Sequence, residues 1–204
     1  MTRLHAAPAR SLGTANTSTI MAAAITVSPE TFANVAFDAG DIRRVAADVA
    51  ALIGFTRPIA ITVDETSPLA RVRVDVGDTV ALHVDSGALE DRRRQRQFGE
   101  ATASVSLGRA LLRAADRIDG TFADAPDDSD LSLAQASAWN SYAYARLSRL
   151  GLAVVQQRAR YDFRNRHGFA DAVDAAFDRI WSEPSFTWEQ LSALSDSLSA
   201  GRSA

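Results

Sequence analysis

The chain has 204 residues, a formal charge of -3 and 47% hydrophobic residues, enough apolar material for one sizeable core and too acidic a balance for a general polyanion binder. It contains no Cys, and all 22 of its basic residues are Arg, which excludes disulfides, thiolate nucleophiles, Cys-ligated metals, Schiff bases and the P-loop lysine. No run approaches the ~20 apolar residues that a spanning helix needs, so the expectation is a cytoplasmic protein with no membrane partner.

Residues 1–27 carry Arg3 and Arg10, a polar stretch from Ser11 to Thr19, and only a short apolar piece from Ile20 to Val27. The basic end and the apolar piece are too far apart for a signal peptide, so 1–27 reads as a disordered tail, with Met21 as an alternative start and 28–204 as one domain. Between Asp41 and Gly54, the apolar residues Ile42, Val45, Val49, Leu52 and Ile53 recur at helical spacing, with Asp41 as N-cap and Gly54 as stop. Pro58 opens a strand in which Ile59, Ile61 and Val63 alternate, and Glu65 to Pro68 is a turn.

Val72, Val74 and Val76 alternate with polar residues, as do Val80, Leu82 and Val84, so two further strands are expected. Their register follows from keeping the apolar sets on one face. A three-residue loop, Gly77 to Thr79, pairs Val76 with Val80, Val74 with Leu82 and Val72 with Val84. It places Arg73 opposite His83 and Arg71 opposite Asp85.

A basic stretch, Arg92, Arg93, Arg94 and Arg96, reads as a solvated loop ahead of a long helix from about Phe98 to Ile118. Val105, Leu111, Leu112, Ala115 and Ile118 supply its apolar stripe, and Arg109, Arg113 and Arg117 fall on one line read as exposed. Gly120 to Asp130, with Pro126 and four Asp residues, is a loop. A helix over Leu131 to Leu150 follows, its inward face assigned to Leu133, Ala136, Ala143, Leu147 and Leu150.

Leu152 to Arg166 fits helix or strand, and helix is preferred; helices from Ala170 to Trp181 and from Thr187, with a Thr187–Gln190 capping box, complete the chain. The fold class is therefore α+β, mostly helical, with a small three-stranded sheet after the first helix (28–120) and a helical C-terminal half (131–204).

The chain holds no HExxH, GxSxG, GxGxxG, Walker A or EF-hand motif, so no catalytic residue, cofactor or metal is assigned. His83 with Asp85, Glu90 and Asp91 is weak as a metal set, and a solvated sheet face with an Arg71–Asp85 ion pair is the preferred reading. The densest polar-aromatic cluster supplies the candidate ligand-binding residues Arg158, Arg160, Tyr161, Arg164, Arg166 and His167. Guanidinium forks bind phosphate or carboxylate, and interleaved aromatics stack on bases. The same residues serve structure when Arg meets Asp162, Asp171, Asp174 or Asp178 and the rings fill core. Arg92, Arg93, Arg94 and Arg96 form a secondary anion candidate beside a helix N-terminus. Trp139, Trp181 and Trp188 read as core or interface anchors.

Asp116-Arg117-Ile118-Asp119 and Arg164-Asn165-Arg166-His167-Gly168-Phe169-Ala170-Asp171 resemble a group of uncharacterised actinobacterial proteins, a resemblance that implies no activity. The order helix, three strands, long helix also looks like the front of a minimal zincin. The long helix would then carry HExxH, but Leu107 to Arg113 holds neither His nor Glu. The leading expectation is a non-enzymatic protein that binds a protein partner or itself; the alternatives are an enzyme or sensor for a small anionic ligand, a phosphate or carboxylate, and, least favoured by charge, a nucleic-acid contact.

Overall fold

A computed structural model describes residues 23–200. Its first element is a strand, β1 (Ile25–Ser28), which corrects the assignment of residues up to 27 to a tail; the rest of that segment, and Met21, lie outside the described residues. Val27 of β1 is buried in the core, and four residues with one apolar anchor carry little alternation for a sequence reading to detect.

Helix α1 (Ala39–Ile53) follows, and Asp38 rather than Asp41 is its N-cap: the Asp38 carboxylate accepts the Asp41 N–H at 3.1 Å. Asp41 is instead an acid of the first turn, where it favours the helix dipole. Gly54 ends the helix at φ 72°, a left-handed conformation that glycine adopts without a Cβ penalty.

The chain then forms β2 (Ile59–Asp64), β3 (Val72–Asp75) and β4 (Val80–Asp85). The hairpin register is the one that the apolar faces demand, with Val72 opposite Val84, Arg73 opposite His83 and Val74 opposite Leu82. Val76 falls beyond the strand and is exposed. The sheet has four strands in the order β1-β2-β4-β3, with β1-β2 and β2-β4 parallel. Parallel pairing needs a crossover, which α1 provides between β1 and β2. The apolar face of the sheet packs on α1 and on α2 (Glu100–Ile118), burying Ile42, Ile61, Leu82, Leu107 and Leu111 in one cluster.

The basic stretch before α2 is a two-stranded hairpin, β5 (Glu90–Asp91) and β6 (Arg94–Phe98), not a loop. The Asp91 carboxylate accepts the N–H groups of Arg93 and Arg94 and so makes the turn between them.

The C-terminal half contains α3 (Leu133–Arg149), α4 (Gln156–His167), α5 (Asp171–Ser182) and α6 (Trp188–Ala200). The 152–166 segment is helical from Gln156 onward. The Thr187–Gln190 capping box closes reciprocally at 3.0 and 3.3 Å. Leu133 and Leu150, expected to face inward, are exposed at the two ends of the helix, Leu133 as the first residue of α3 and Leu150 as its C-cap. Phe122, Trp139, Tyr142, Phe163, Phe177 and Phe186 form a second core, and Val105, Leu112, Ala143 and Leu147 link α2 to α3 between the two.

Candidate functional site

The line Arg109, Arg113 and Arg117 on α2, expected to be exposed, is turned into the seam against α3. Arg113 is 6% exposed, and the side chain of Arg117 is largely covered. Spacing four residues apart aligns them along one side of α2. The partners come from elements distant in sequence. Asp128, in the loop before α3, accepts from Arg113 at 2.7 Å and from Arg117 at 2.9 Å. Asn140 Oδ1 accepts from Arg109 at 3.0 Å and from Arg113 at 3.2 Å.

The Trp139 ring lies beneath both Arg113 and Arg117, whose guanidinium carbons stand 4.4 and 4.5 Å from its centroid. Its Nε1–H donates to Asp116 at 2.8 Å, and Arg146 donates to the other oxygen of the same carboxylate. Four guanidiniums thus face two carboxylates, leaving the seam electropositive. Burial pushes the Arg113 guanidinium down to about 10, a shift that Asp128 opposes and neighbouring Arg109 and Arg117 reinforce. Burial also raises the Asp116 carboxyl, against the pull of Arg146 and the Trp139 N–H. Arg109 Nε, Arg113 Nε and Arg117 Nη1 are buried without a hydrogen bond among the described residues.

Arg109 stands at the end of this seam and also lines a cavity of about 400 Å³ between α2, α4 and the β5–β6 hairpin. Arg92 from the hairpin and Arg158 from α4 line it too, with Val105, Val154 and Val155 as apolar wall and Tyr144 from α3 behind. That volume is within the range of small-molecule sites. Glu90, Asp91 and Asp162 share the wall, but the first two are committed locally. Glu90 accepts from Ser86 Oγ and the Arg96 N–H, and Asp91 holds the hairpin turn.

The predicted cluster on α4 does not converge. Arg160 pairs with Asp178 and Asp174 of α5, and Arg164 pairs with Asp174, its Nε donating at 2.7 Å. Both guanidiniums are raised, and the Asp174 carboxyl lowered, chiefly by these side-chain hydrogen bonds. His167 is buried, with Nδ1 3.0 Å from the Phe163 carbonyl and Nε2 3.0 Å from Ser195 Oγ, its ring stacked on Phe163. Tyr161 is exposed and meets Phe169 edge-on. Arg158 alone of the six enters the larger cavity, and Arg166 lines a second one.

Of the secondary candidates, Arg92 reaches the cavity. Arg93 stands beside the first turn of α2, Arg94 is exposed on β6, and Arg96 is held by the Asn34 carbonyl at 3.0 Å. His83 meets Asp75 at 3.0 Å rather than Asp85, which is buried and pairs with Arg71 at 3.8 Å. Among the described residues no three metal-ligating side chains converge.

Comparison of the chain with protein-family models, curated proteins and solved structures returned no match. The cavity is therefore assigned on its geometry. Sequence reasoning missed Arg109, Asn140 and Tyr144. The available signal was Arg repeated every fourth residue on α2 with one acid, Asp116, among them. A solvated Arg face more often interleaves its acids at the same spacing.

Proposed function

We propose that the protein binds a small anion, a phosphate or a carboxylate, in the cavity between α2, α4 and the β5–β6 hairpin. One observation carries this reading. Arg92, Arg109 and Arg158 come from three separate elements to one cavity. None of the three has a carboxylate partner among the described residues, whereas Arg113, Arg117, Arg146, Arg160 and Arg164 all do. Arg109 donates to the neutral Asn140 amide oxygen and lies 5.9 Å from the Tyr144 ring centroid, so no carboxylate neutralises it among the described residues. Guanidinium groups that line one cavity suit an oxyanion.

Calorimetric titration with inorganic phosphate and with succinate tests this. Saturable binding of either is expected, weakened at least about tenfold by Arg109→Ala or Arg158→Ala, the loss of one charge-assisted hydrogen bond. Arg160→Ala is expected to leave it unchanged. Absence of saturable binding, or equal sensitivity to Arg160→Ala, would overturn the reading.

A second reading, association with a protein partner or a second copy, is supported by the Tyr161–Phe169 pair, 58% and 67% exposed. Nucleic-acid contact through the α4 cluster is the weaker reading, because Arg160 and Arg164 are neutralised by α5.

A further inference from the structure

A second cavity, of about 270 Å³, adjoins the first, and Tyr144, Ala159 and Asp162 line both. The lining changes character across that wall. On the first side stand the guanidiniums of Arg92, Arg109 and Arg158. On the second, Ser137, Asn140 and Asn165 present neutral hydroxyl and amide groups, and Arg166 lines it as well.

Asn140 joins the two sides. Its Oδ1 receives Arg109 and Arg113 together. Two converging donors fix the amide orientation, so both N–H groups of Nδ2 point away from the guanidiniums. Nδ2 has no hydrogen bond among the described residues, and neither do the Asn165 amide, the Asp162 carboxylate or the Tyr144 hydroxyl. Amide N–H donors beside an open carboxylate and a phenol recognise hydroxyl groups, which donate and accept at once. A lone anion occupies only the first cavity, and an apolar acid offers the amides of the second no hydrogen-bonding group.

Resting on the anion-binding reading, we propose that the ligand is a polyhydroxy compound carrying one phosphate or carboxylate, its anion in the first cavity and its hydroxyls in the second. Asn165 and Ser137 are the specificity-determining residues. They touch only the hydroxyl-bearing part and leave the anion to Arg109 and Arg158.

Two matched probe pairs test this by calorimetry on the full chain: ribose 5-phosphate against pentyl phosphate, and gluconate against hexanoate. At least one hydroxylated probe is expected to bind about tenfold or more tightly than its deoxygenated partner. Asn165→Ala and Ser137→Ala, both changing no charge, are expected to close that gap while leaving the pentyl phosphate or hexanoate affinity as it was. Asn165 is exposed, so its substitution does not threaten folding. Equal affinity within both pairs, or a gap that survives both substitutions, overturns the polyol assignment and leaves anion binding standing. No binding by any of the four overturns the anion reading itself.

Discussion

Arg113 shows how one side chain can be structural and still bear on the site. Its guanidinium is buried on the Trp139 ring and held between Asp128 and Asn140. Its charge is maintained by the carboxylate that it shares with Arg117. Removing one partner of a buried pair costs far more than the pair contributes, because a desolvated charge is left behind. Asp128→Ala is therefore expected to destabilise the protein by about 3 kcal/mol, read from the urea unfolding midpoint at unchanged slope. A loss below about 0.5 kcal/mol, the range of an exposed pair, would mean that water reaches these guanidiniums. Arg109, one turn away, shares the Asn140 amide oxygen but has no carboxylate partner among the described residues. On the anion-binding reading, that difference leaves its charge for a ligand.

At the scale of the element, α4 sorts its residues by angle. Ala159, Phe163 and His167 recur every fourth position and are buried. Arg160 and Arg164 lie one residue further round and meet α5. Arg158 and Arg160 are about 200° apart around the axis, so one run of Arg serves two surfaces. The α4–α5 ion pairs make a pH prediction. Arg164 and Arg160 lower the Asp174 carboxyl below its ordinary 3.8. A depressed folded pKa gives stability that is present above the unfolded value and lost as pH falls through the folded one. Thermal melting is thus expected to fall as pH drops below about 4. In Asp174→Asn the melting temperature is expected to be lower at pH 7, with a smaller decline in acid. An identical acid decline in the variant would remove Asp174 as a contributor.

Across the whole molecule, a sheet core and a helical core meet along α2 and α3. The larger cavity is built where both halves and the β5–β6 hairpin come together, so its three cations report on the relative placement of all three. Tyr161 and Phe169, the exposed pair, are not among the residues that line it. If that pair mediates self-association, light scattering is expected to show a mass that rises with concentration and returns to that of the 21.9 kDa monomer in Phe169→Asp, with phosphate affinity unchanged. A concentration-independent monomer in the parent chain would exclude a second copy as the partner.

The sequence by itself determined the α+β class, the hairpin register, the helical C-terminal half and the capping box at Thr187. Each depends on periodicity or on groups a few residues apart, and these are local signals. It could not place β1, whose four residues owe their strand form to parallel pairing with β2. Nor did it supply the partners that put Arg109, Arg113 and Arg117 in a seam, since these lie far along the chain. Only the tertiary structure decided that, by bringing Asp128, Trp139 and Asn140 from 11 or more positions away. It also divided the Arg run of α4 between α5 and the cavity, since a guanidinium's role is set by the partner that packing places within reach.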